Sequence, residues 1–156
     1  MIKDFNDLPD DSRLWIYQSN RKLSNEELAI IEPKIIEFLK QWTAHGKELD
    51  AGYEIKYNRF IVLGLNQENA SASGCSIDAS VNFIQSLEKE FGINLMDKLN
   101  VTYYNGDFIA HKSLIDFIVD LSKRKICISR VVSPIPIGKF NDIIISLRLF
   151  SHKYLY

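Results

Sequence analysis

Only two cysteines, Cys75 and Cys127, occur in the 156 residues. That is too few for a disulfide framework, although a single bridge is compatible with the count. Reduced thiols and a cytoplasmic setting are the simpler expectation. No apolar run approaches the roughly 20 residues that cross a bilayer, so no membrane insertion is expected. The opening stretch MIKDFNDLPDDSR is acidic and lacks the apolar stretch of a secretory signal. A formal charge of −1 gives no overall field for capturing nucleic acid or an anionic membrane. The two Gly-Lys pairs, Gly46-Lys47-Glu48 and Gly138-Lys139-Phe140, lack the hydroxyl residue and the upstream glycine of a phosphate-binding loop. This excludes a P-loop ATPase. His45, His111 and His152 stand singly and show no ligand spacing with either cysteine, so neither a metal nor a cofactor is expected.

What is present suits one ordinary globular domain, with 46% hydrophobic and 12% aromatic residues. Charge is unevenly spread. From Lys123 to Tyr156 seven Lys/Arg face one acid, Asp142, giving +6 and leaving −7 for residues 1–122. The basic stretch lacks the aromatic and glycine pattern of an RNA-recognition sheet, and nucleic acid is not an expected partner. The composition shift suggests a core domain over 1–125 followed by a basic, Ile-rich extension over 126–156.

SRLWIYQS (12–19) reads as a first strand. SNEE (24–27) is a capping box, followed by Leu28, Ile31, Ile35, Phe38 and Trp42 on one helix face, with Pro33 predicting a kink and Gly46 a stop. YEIKYNRFIVLGLN (53–66) changes parity near Asn58 and reads as one bent strand, because Arg59 suits a two-residue hairpin turn poorly. A second helix places Ile77, Val81, Ile84, Leu87 and Phe91 inward and stops at Gly92. Asn105-Gly106 predicts a hairpin with Tyr103 opposite Phe108 and Val101 opposite Ala110. A third helix covers 113–125. Beyond it, the prolines of ICISRVVSPIPIGKF argue against a central strand, and an Asn141-capped helix is drawn with Ile143, Leu147, Phe150 and Tyr154 inward. The order β-α-β-α-β-β-α predicts a single-domain α+β fold, its sheet antiparallel or mixed, with helices packed on one side.

The chemistry-bearing candidates gather around SASGCSIDAS (71–80). A helix start leaves amides unpaired and favours negative charge, so Cys75 there is the candidate nucleophile. Ser73, Gly74 and Ser76 would help to cradle a carboxylate or phosphate. Asp78 in the first turn complements the helix dipole and would repel a bound anion, unless it points away or orients a substrate amine. His45, closing the first helix, would act as the base of Cys75. Arg21 and Arg59 follow strand ends and suit bidentate anion recognition. Tyr17 and Trp42 would line an aromatic cleft. The plain alternatives remain open for each: caps for the serines, packing for Cys75 and the aromatics, a helix-end role for His45 and solvation for the arginines.

WIYQSNRK (15–22), FLKQWTAHG (38–46), YNRFIVLGL (57–65) and SGCSIDASVNFIQSLEKEFG (73–92) together resemble a family of small, uncharacterised bacterial cytosolic proteins. Its members often carry the label "ABC transporter ATPase". The resemblance spans roughly residues 1–120, and its motifs fall on Tyr17, Gln18, Arg21, Trp42, His45, Gly46, Arg59, Cys75, Ser76 and Asp78. It implies no activity, and the missing P-loop argues against the ATPase in the label. The terminus LFSHKYLY departs from the Trp-His-Ser-aromatic ending of the family, so no site is placed there. Two functions follow as expectations. One is binding of a small anionic ligand, with Cys-dependent chemistry at the second helix. The other is a non-catalytic interaction or regulatory domain, tied to a transporter system if the label is a guide, which binds another protein through its sheet or its basic C-terminal surface.

Overall fold

The computed structural model describes residues 2–68, 70–97, 99–105, 108–122, 128–132 and 144–145. The fold is α+β with antiparallel sheets, and the chain divides into two compact units, Met1–Met96 and Asp97–Tyr156.

In the first unit, β1 (Arg13–Gln18), β5 (Phe60–Leu65) and β4 (Ala51–Lys56) form a sheet in the order β1-β5-β4. All six residues of the central strand β5 are buried. Because side chains alternate faces, Ile61, Leu63 and Leu65 share one core with Ile31, Ile35 and Leu39 of α1 (Asn25–Gln41) and Ile84 and Leu87 of α2 (Gly74–Phe91). Both helices therefore pack on one face of this sheet. The opposite face meets the N-terminal segment. A β-carbon on Gly52 would fall 2.8 Å from the Lys3 carbonyl oxygen, and one on Gly64 2.5 Å from Leu8 Cδ1. Glycine is what lets this segment lie flat against the strands.

The capping box forms as expected. The Glu27 amide donates to Ser24 Oγ at 3.2 Å, and the Ser24 amide donates to the Glu27 carboxylate at 2.8 Å. Three local expectations are corrected. The bent strand is a hairpin: Lys56 pairs with Phe60 across a turn in which Tyr57 and Asn58 both take left-handed φ, 56° and 52°. Arg59 lies just past those positions, so the objection to it as a turn residue does not apply. Next, α1 ends at Gln41, and His45 with Gly46, at φ 52° and 75°, makes the turn between two short strands, β2 (Thr43–Ala44) and β3 (Lys47–Glu48). Gly46 ends no helix. Finally, the fully buried positions of α2 are Ser76, Ser80, Ile84 and Leu87, whereas Ile77, Val81 and Phe91 are half-buried. Gly92 caps α2 in the left-handed conformation, as expected.

The second unit has the sheet order β7-β6-β8-β9, formed by β6 (Asn100–Asn105), β7 (Phe108–Ser113), β8 (Ile128–Val132) and β9 (Ile144–Ile145). The β6–β7 hairpin has Asn105 paired with Phe108 and Tyr103 with Ala110, two residues away from the expected register. Both registers keep the same residues on the same face, because the side-chain period is two. α3 (Leu114–Ser122) packs on β6 and β7. The cations at 123–125 lie outside the described residues. β8 is an inner strand despite the prolines, which come after it in the chain. It pairs with β6 inside the second unit, Asp97–Tyr156. Ile144–Ile145 is extended instead of helical, and the other residues of the expected Asn141-capped helix lie outside the described residues.

Candidate functional site

Residues at the start of α2 serve the fold first. Ser73 is the cap, accepting the Ser76 amide on Oγ at 3.2 Å. The Ser76 hydroxyl turns back to donate to the Ser73 carbonyl at 2.8 Å, and the residue is buried. Trp42 Nε1–H donates to the Ser76 carbonyl at 2.8 Å, so the end of α1 is stitched to the first turn of α2. The Trp42 ring is buried at an edge to Trp15 and a tilt to Phe38, which stacks on Phe83 at 4.4 Å. Trp42 packs among these rings in the core. Tyr17 is buried in the same core, and burial pushes its phenol up, with the Ser80 hydroxyl opposing that shift.

Cys75 is exposed, and so are Gly74, Asp78 and His45. Asp78 is the fifth residue of α2 and lies past its first turn. His45 is three residues beyond Trp42 and Cys75 one residue before Ser76, so the Trp42–Ser76 bond sets both at the same end of the first unit. No hydrogen bond joins them among the described residues.

The arginines lie elsewhere. Arg21 grips Glu27 with two bonds, at 2.8 and 2.6 Å, and donates to the carbonyl of Phe91, the last residue of α2, at 3.0 Å. Phe91 and Cys75 stand at opposite ends of an 18-residue helix, about 24 Å apart at its rise per residue. Arg21 therefore caps the negative end of α2, far from the thiol. Arg59 Nη1 donates to the Ser19 carbonyl at 3.1 Å. The next residue, Asn20, is bonded both ways to Asn94, just beyond α2. Arg59 thus also belongs to that end. It has no carboxylate partner among the described residues, and burial draws its guanidinium down. The expected clamp and the expected nucleophile do not share a place.

Two features escaped the sequence reading. Gln18 is buried with both carboxamide atoms unpartnered. The second feature is α3, which hides Phe117 against Tyr103 with ring centroids 5.0 Å apart, yet leaves Ile115 73%, Ile118 55% and Val119 40% exposed. Leu114 and Leu99 are exposed as well. The signal was in LIDFIVDLS, whose apolar residues cover more than half of the helix circumference and leave only the side of Asp116 and Asp120 to charge. At this helix Asp120 pairs with Lys112, while Asp116 is exposed, accepts the Ser113 hydroxyl at 2.7 Å and has no cation among the described residues.

Among the described residues no helix is long and apolar enough to cross a membrane, and no cluster of three or more His, Cys, Asp and Glu could hold a metal ion. No family model, no curated protein and no solved structure matches the chain.

Proposed function

We propose that this chain is a non-catalytic interaction domain that docks an amphipathic, basic peptide segment on the outer side of α3. One observation carries the reading: Ile115, Ile118 and Val119, at i, i+3 and i+4, present a contiguous aliphatic row to solvent on a helix whose other side already packs. An apolar arc wider than one packed face is normally covered beyond that face. Exposed Asp116 beside the row favours a cationic ligand over an anionic one. Helix-in-groove recognition reads anchors at this same spacing.

The test is titration of a synthetic amphipathic Leu/Lys peptide into the full chain. Ile118→Asp should weaken binding about tenfold or more, the loss of one buried aliphatic anchor. Ile30→Asp, at an exposed position of α1, should leave it unchanged. Equal effects from both variants, or no saturable binding, would remove the reading.

A further inference from the structure

We infer that the docking face does not end with α3: Leu99, in the turn before β6, is a further anchor for the same amphipathic basic segment. The inference rests on α3 being a docking face and adds the length of the partner. Leu99 is 61% exposed, more than any other large apolar residue among the described ones except Ile115. Two bonds hold it in place. Its amide donates to the Asp97 carboxylate at 2.8 Å, and its carbonyl accepts the Leu114 amide at 2.7 Å. A loop leucine fastened at both backbone groups is in position before a partner arrives, which lowers the ordering cost of binding.

The bond to Leu114 also sets its location. Amides at a helix N-terminus point back along the axis, so Leu99 lies beyond the first turn of α3. The last pair of the β6–β7 ladder is Asn100 with Ser113, which makes Leu99 and Leu114 the facing residues one step further on. The apolar strip therefore runs from Val119 through Ile118, Ile115 and Leu114 to Leu99. The five steps from Leu114 to Val119 rise about 7.5 Å, and Leu99 lengthens the strip to about 11 Å, two turns of a partner helix. Its occupant is an amphipathic basic helix with apolar anchors at i, i+3 or i+4, and i+7, longer than a single-turn motif.

The experiment titrates a synthetic Leu/Lys peptide, with leucines at that spacing, into the full chain. Leu99→Ser should weaken binding about tenfold, the loss of one aliphatic anchor, and Leu99→Met should hold it within about twofold of the parent. Neither should move the midpoint of thermal unfolding, because the side chain faces solvent. If Ile118→Asp weakens binding while Leu99→Ser binds like the parent, the inference is overturned and the docking face stands as proposed. Weakening by Leu99→Ser that comes with a lower midpoint overturns it too, since the leucine then acts through the fold. Absence of saturable binding by the parent removes the inference and the docking face together.

Discussion

Arg21 meets Glu27 in a two-pronged pair, at 2.8 and 2.6 Å, while the same carboxylate accepts the Ser24 amide that opens α1. One side chain thus closes the first helix at its start and holds the arginine that caps the second at its end.

The pair predicts a pH dependence. The Arg21 guanidinium first, and the Ser24 amide second, hold the Glu27 carboxyl at about 2. Its unfolded value is about 4.3. A carboxylate depressed in the folded state stabilises fully above the unfolded value and loses that contribution as pH falls from about 4.3 through about 2. Glu27→Gln should therefore cost about 1 kcal/mol at pH 7, a figure reduced for the partial exposure of the pair. Urea unfolding at both pH values checks this: the gap between parent and variant should shrink towards zero at pH 2, and a constant gap would assign the loss to packing.

Gln18 predicts a gain. Its carboxamide is buried without a partner, and an unmade hydrogen bond inside a protein costs about 1–3 kcal/mol. Gln18→Met, close in volume and apolar, should raise the midpoint of thermal unfolding, by about 1 kcal/mol in stability. A lower midpoint would reveal that the amide is in use.

Cys75 and His45 predict independence. An exposed thiol with no hydrogen bond to the imidazole should react with a thiol reagent at the rate of the urea-unfolded chain, within about a factor of three. His45→Ala should leave that rate unchanged. Acceleration in the native chain that disappears with His45→Ala would make the imidazole the base of the thiol.

The elements that the sequence disclosed were those whose causes are local. Ser24 and Glu27 are three residues apart, and Gly92 terminates the helix it follows, so both could be read in place. Hidden elements had non-local or ambiguous causes. Gly46 serves a helix end and a hairpin turn equally well, and strands of two residues carry no periodicity to decide between them. Tyr57 in a left-handed turn is not what side-chain preference suggests, and the β-pairing around it prevailed. Ser76 and Ser80 read as polar, yet each returns its hydroxyl to the carbonyl three residues back, that of the cap Ser73 and that of Ile77, and can then be buried. The place of Arg21 has a non-local cause as well. Arg21 and its acceptor Phe91 are 70 positions apart, and no local pattern announces that contact.

Gly52 and Gly64 face each other in register across β4 and β5. They leave a trough in the wall of the sheet that the backbone at Lys3 and the side chains of Phe5 and Leu8 fill. A stretch that looks like a dispensable lead-in is thus a structural stave. Cut away, it would lay bare the second side of the innermost strand, and larger residues at either glycine would push it out by the same route.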